Sequence, residues 1–222
     1  MSYVRYRRPD ARIAARIGQA LGPARTVLNV GAGAGSYEPA GRQVTPVEPS
    51  ASMRARRPAG RPAAVDATAG DLPFADRSFD AAMTTFSVHQ WTDLRAGLRE
   101  VRRVTRGPVV ILTCDPGRLR RFWLTEYAPE VIETEARRYP PAEALCDGLG
   151  GPAGATVVPV PLDCTDGFNE AYYGPTASAA TWPTGAGMAG TATCDPGPPS
   201  RDPSFWPSRR PEQAGGWAGP GP

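Results

Sequence analysis

Apolar positions along the first half of the chain follow two alternating periods. After Asp10, a residue suited to capping a helix, Ile13, Ile17, Ala20 and Leu21 share one helical face until Gly22-Pro23 ends the pattern. Thr26–Val30 (TVLNV) is a short β-branched run that stops at a glycine cluster, as a strand buried on both faces does. Further strands are expected at Gln43–Val47, 63–65 and 79–84. Leu94, Leu98, Val101 and Val104 form a stripe that predicts a helix over 93–106, capped by Asp93 and ended by Gly107-Pro108. VVILT at 109–113 is a fifth strand. Helices punctuated by proline are expected over 118–128, 129–139 and 141–149, then an edge strand over 156–160 beside Pro159 and Pro161. Strands alternating with helices imply a doubly wound α/β domain with a Rossmann-like, mostly parallel sheet, strand order 3-2-1-4-5 plus the edge strand.

This places one domain over residues 1–172, with a core at 12–115 and a helical, substrate-facing region at 116–172. From 173 to 222 proline and glycine dominate without either period, which predicts a disordered tail. The 25 basic residues are all arginine and are nearly balanced by 22 acidic ones, a margin too small to mark a nucleic-acid or membrane-surface binder. Cys114, Cys146, Cys164 and Cys194 are widely spaced with no CxxC pair, so neither a zinc site nor a disulfide framework is indicated. No apolar run approaches membrane length and the first residues carry scattered charge, so a cytoplasmic location is expected.

The chemistry concentrates where strands end. Directly after the first strand stands Gly31-Ala32-Gly33-Ala34-Gly35-Ser36, where missing side chains let backbone amides, and the helix expected to follow, approach a ligand. Ser36 occupies the third glycine of a dinucleotide fingerprint, so the spacing is GxGxG and favours a nucleoside over a pyrophosphate. Glu48 ends the second strand, where a carboxylate can accept hydrogen bonds from both ribose hydroxyls. At the end of strand four, Phe86, Ser87, His89 and Trp91 line the expected acceptor side. His89, the only histidine, has an ordinary pKa suited to a general base, and a His-x-Trp at a strand end also serves simply to shape a pocket.

TVLNVGAGAGSYEP, VEPS and AGDLPFADRSFDAAM, in that order, resemble the successive motifs of class I S-adenosylmethionine-dependent methyltransferases of the type 11 group, relatives of the quinone-biosynthesis C-methyltransferases. The resemblance is strong over 12–115 and extends weakly through FWLTEYAPEVIE to DCTDGF. It implies that S-adenosylmethionine is the cofactor, with Gly31, Ala32, Gly33 and Gly35 against its methionine part and Glu48 and Pro49 at its ribose. Asn29 stands where an acidic residue is common, and its carbonyl still accepts a hydrogen bond from the amino-acid end. Gly70 stands where Glu is frequent, which leaves Asp71 and the Ala69 backbone near the adenine, and Phe86 is counted with the cofactor-binding residues. The implied acceptor is a small molecule, with no nucleic-acid or membrane partner. Such domains close with an antiparallel strand; nothing after Tyr173 offers five β-branched or aromatic residues in a row, so that strand is expected to be missing and the tail to reflect a frameshift near Gly174. Two other readings stand beside the enzyme: a non-catalytic domain that at most binds the cofactor, and a nicotinamide oxidoreductase, disfavoured by the GxGxG spacing and by a chain without lysine.

Overall fold

The computed structural model describes residues 7–150, 153–161, 163–168 and 189–194. Its core is a six-stranded sheet in the order β2-β1-β3-β4-β6-β5. The strands are β1 (Thr26–Val30), β2 (Gln43–Val47), β3 (Ala81–Thr85), β4 (Val109–Cys114), β5 (Ala153–Val158) and β6 (Ala189–Cys194). The first four are parallel; β6 lies antiparallel between β4 and β5. Period-2 alternation divides the core into two layers. Along β4, Val110, Leu112 and Cys114 face one cluster with Ile13 and Ile17 of α1 (Ala11–Ala20), and Val109 and Ile111 face the other with Leu98, Val101 and Val104 of α3 (Leu94–Val104). Each of those α3 side chains contributes about 1.5–3 kcal/mol by leaving water. Both predicted caps form: the Asp10 side chain accepts from the Arg12 amide and Asp93 from the Ala96 amide.

The expectation of a missing closing strand is overturned. Ala189–Cys194 pairs with Val109–Cys114 along its whole length and with Ala153–Val158 on the other side. A strand held between two others is stabilised through its backbone on both edges, and this segment has no proline to interrupt the ladder, so it forms without a bulky apolar run. The missing strand therefore no longer supports a frameshift. The rest of the expected disordered tail lies outside the described residues.

Four local expectations are also corrected. The strand at 63–65 reduces to a single parallel bridge between Val47 and Val65. With that bridge counted, the order 3-2-1-4-5 holds and the edge strand joins through β6. The edge strand itself begins at Ala153, not at 156. The helix expected over 118–128 splits into α4 (Pro116–Leu119) and a 3-10 turn at Trp123–Glu126, because Phe122 turns extended to bury its ring in the core. No helix follows the glycine loop: residues 31–42 are turns, with Tyr37 and Gly41 at positive φ and Pro39 between them. The remaining helices are α2 (Ala51–Arg54), α5 (Pro129–Arg138), which packs against α4, and α6 (Ala142–Leu149), which packs against α3, β5 and β6.

Candidate cofactor and acceptor site

The parallel strands β1 and β2 deliver the glycine loop and Glu48 to the same end of the sheet, paired in register from Thr26 with Gln43 to Val30 with Val47. Gly31, Gly33 and Gly35 all adopt positive φ, a conformation that L side chains rarely take. Three loop amides are consumed internally. Ala32 donates to the Val47 carbonyl at 2.9 Å, Gly35 to the Ala32 carbonyl at 2.8 Å, and Gly33 to Glu48 Oε2 at 2.8 Å. A Cβ on Gly31 would overlap the Ser87 hydroxyl, so the loop and the segment after β3 meet in direct contact.

Glu48 is buried and fixed at both oxygens, since Oε1 accepts from the Ser50 amide at 2.8 Å. A carboxylate has about four acceptor positions, so two remain for a pair of ribose hydroxyls. Behind it, Arg54 Nη1 donates to the Glu48 and Pro49 carbonyls at 2.8 Å and the guanidinium pairs with Asp66 at 2.7 Å. Asp66 follows directly on the Val47–Val65 bridge, which puts it beside Glu48 in the sheet; the sequence reading passed over it, though an acid right after a strand was the available signal. Ala69 is buried against α3, and Asp71 lies exposed in the Thr68–Asp71 turn.

Asn29 is completely buried. Its Nδ2 donates to Glu38 Oε1 at 3.1 Å, and its Oδ1 is enclosed without any hydrogen-bond partner. An orphaned buried acceptor costs about 1–3 kcal/mol. An ammonium group arriving at the end of β1 would satisfy it. Open glycines, a fixed carboxylate for a diol and a waiting acceptor for an ammonium fit the methionine and ribose ends of S-adenosylmethionine.

On the acceptor side the four expected residues divide. Ser87 is turned inward: its hydroxyl bonds Thr84, donates to the Val30 carbonyl at 3.1 Å and accepts from Trp91 Nε1 at 3.3 Å. Trp91 packs over Gly97, where a Cβ would collide with its ring. These two lock the 84–91 segment to the sheet and to α3. Phe86 and His89 are partly exposed at the end of β3. Phe86 holds φ 51°, a strained setting for an aromatic residue, and is braced by Phe168 at 5.0 Å between rings and by the Arg7 guanidinium 5.6 Å from its ring. His89 packs on Tyr139, ring centroids 4.5 Å apart, and its Nδ1 is buried with no partner. Burial, and then the charge of Arg138, hold its pKa below the ordinary imidazole value, with Glu135 opposing; the ring is therefore neutral at pH 7.

A second polar cluster ties three distant segments together beside this site. Tyr37 Oη donates to Asp166 Oδ2 at 2.8 Å, Arg7 Nε donates to Asp166 Oδ1 at 2.7 Å, and the Asp10 amide donates to Tyr37 Oη at 3.4 Å. Burial and the Asp166 charge push the Tyr37 hydroxyl far above its ordinary pKa, so it stays a donor. Among the described residues no group of His, Cys, Asp and Glu could hold a metal ion, and no helix is long and apolar enough to cross a membrane.

The sheet order, the glycine loop and the fixed acidic residue at the end of β2 define a class I S-adenosylmethionine-dependent methyltransferase fold. Residues 28–112 match the family model described as a methyltransferase domain, a match that supports S-adenosylmethionine as the cofactor. Among curated relatives, the demethylmenaquinone methyltransferase of Mycolicibacterium paratuberculosis is 33% identical over 108 residues, 47% of each chain. The Escherichia coli protein YafE is 35% identical over 81 residues, 35% of this chain and 39% of its own. The chain thus spans less than half the length of these relatives. Among solved structures, a candidate methyltransferase from an antibiotic biosynthesis pathway of Anabaena variabilis has a TM-score of 0.69 at 29% identity, covering 78% of this chain and 73% of its own. A Thermotoga maritima methyltransferase shares the fold with a TM-score of 0.59 at 18% identity, covering 87% and 91%.

Proposed function

We propose that the chain transfers a methyl group from S-adenosylmethionine to a small molecule held at the carboxyl ends of β3 and β4. The observation that carries this reading is Glu48, buried at the end of β2 with one oxygen on the Gly33 amide of the glycine loop. In it, Gly31, Ala32, Gly33 and Gly35 allow close approach of the cofactor, and Glu48 and Pro49 flank its ribose. Asn29 Oδ1 accepts from the ammonium, Ala69 and Asp71 border the adenine, and Phe86 adjoins the reactive centre. When bound, the cofactor supplies a methyl group on a sulfonium, open to in-line displacement. The protein's part is to align the acceptor and exclude water, and Phe86, fixed by Phe168 and Arg7, supplies a rigid apolar wall for this.

His89, held neutral, is the residue assigned to take the acceptor's proton, through Nε2, which lies 3.3 Å from Gln90 Nε2, since Nδ1 is enclosed. Its packing on Tyr139 favours a second role, shaping the pocket. The two separate kinetically. A general base accounts for about 10²–10⁴ in rate, so His89→Gln should lower kcat by that much, with an acidic limb in the parent below the ordinary imidazole pKa that the variant lacks. A shaping role raises KM and leaves the pH profile in place. The demethylmenaquinone methyltransferases among the relatives make hydroquinones the first acceptors to screen, read as formation of S-adenosylhomocysteine.

A further inference from the structure

The glycine loop is followed by turns, so it lacks the helix whose N-terminal dipole and free amides would attract an anion there. In that place the chain folds a charged cluster against the loop. Glu38 and Arg57 are an interior pair, their side chains 4% and 5% exposed, with Arg57 Nη2 2.9 Å from each Glu38 oxygen. Arg61 Nη1 donates to Glu38 Oε2 at 2.9 Å, and Asn29 Nδ2 donates to Oε1. Two guanidinium groups share one carboxylate, leaving the cluster with one excess positive charge.

The same arginines hold the loop's carbonyls. Arg61 Nη1 donates to Gly35 O at 2.8 Å and Arg57 Nη1 to Gly33 O at 3.4 Å. A trans peptide points its C=O and the following N–H in opposite directions. Fixing the Gly33 and Gly35 carbonyls toward the arginines therefore aims the Ala34 and Ser36 amides the other way. Neither of those amides donates to another group among the described residues. Gly35 is the pivot: a Cβ on it would stand 3.1 Å from Glu38 Oε2, 3.2 Å from Arg57 Nη1 and 3.2 Å from the Arg61 side chain.

We propose that Arg61 and Arg57, gathered by Glu38, are positioning residues that orient the Ala34 and Ser36 amides and the loop's electrostatic field toward the carboxylate at the amino-acid end of the cofactor. The inference rests on the glycine loop being the cofactor's site. It predicts a selective effect. S-adenosylhomocysteine carries the amino-acid end and 5′-methylthioadenosine lacks it, although both carry the ribose that Glu48 would hold.

The test is calorimetric titration of the full chain and of Arg61→Met with both ligands, with thermal unfolding of each protein as a fold control. Arg61 is the more exposed of the two arginines, so this variant keeps the interior Glu38–Arg57 pair. The expected result is a loss of about tenfold or more in affinity for S-adenosylhomocysteine, with 5′-methylthioadenosine changed less than about twofold. Arg61→Lys, which restores the charge, should recover part of the loss. Equal weakening of both ligands, or no change in either, overturns the proposal. A parent chain that binds neither ligand overturns the cofactor site itself, a failure distinct from a parent that binds both and a variant that does not discriminate between them.

Discussion

Glu48→Gln should weaken S-adenosylhomocysteine by at least about a hundredfold. A hydrogen bond to a charged group is worth about 1.5–3 kcal/mol, and each 1.4 kcal/mol is tenfold in affinity, so weakening two ribose contacts reaches that range. The variant also places an amide NH2 where one of the Gly33 and Ser50 amides now meets an acceptor, setting donor against donor at the foot of the glycine loop. Titration of the folded variant reads the effect. Affinity within about threefold of the parent would mean that Glu48 only pins the loop and does not meet the ligand.

Asp166→Ala should cost about 3–5 kcal/mol in unfolding free energy, the range found when one partner of a buried ion pair is removed. The carboxylate is fully enclosed and accepts from Arg7 and from Tyr37, which itself sits at positive φ. Its loss takes the shared carboxylate away from a guanidinium and a phenol and loosens the bracing of Phe86 by Arg7. Denaturant unfolding measures it; a change below about 1 kcal/mol would show that the three segments are held by packing alone. Asp10, next to this cluster, adds a pH dependence. Arg12, and then backbone amides of Arg12 and Thr165, hold its carboxyl well below the ordinary range against the opposing effect of burial. A depressed folded-state pKa gives stability that is complete above the unfolded carboxylate value and is lost as pH falls below it. Asp10→Asn should therefore flatten the acid side of the stability profile, measurable as melting temperature between about pH 2 and 5.

The alternation of apolar periods gave away the layers, because a parallel sheet covered on both faces must bury every strand residue. Val109–Cys114 is the clearest instance, buried at all six positions. Short-range signals of the same kind located Asp10, Asp93, the positive-φ glycines and Glu48. Long-range polar pairing was not legible. Nothing in the local sequence around Arg54 and Arg57 signals a partner, yet one pins the Glu48 and Pro49 carbonyls and the other is enclosed with Glu38. Asp166 lies 129 residues from Tyr37 and 159 from Arg7, and no local period links them. The closing strand was hidden for the opposite reason. Alanine, glycine and threonine in Ala189–Cys194 carry little strand signal, and their pairing is imposed by the neighbours on either side.

The central claim is that the carboxyl ends of β1 and β2 form a working S-adenosylmethionine site. Isothermal titration of the full chain with S-adenosylhomocysteine tests it most directly. Saturable one-to-one binding with a Kd on the order of micromolar and a matching rise in melting temperature is the expected result. A folded chain that shows no heat of binding and no thermal shift at about millimolar ligand would contradict it and leave a methyltransferase fold that holds no cofactor.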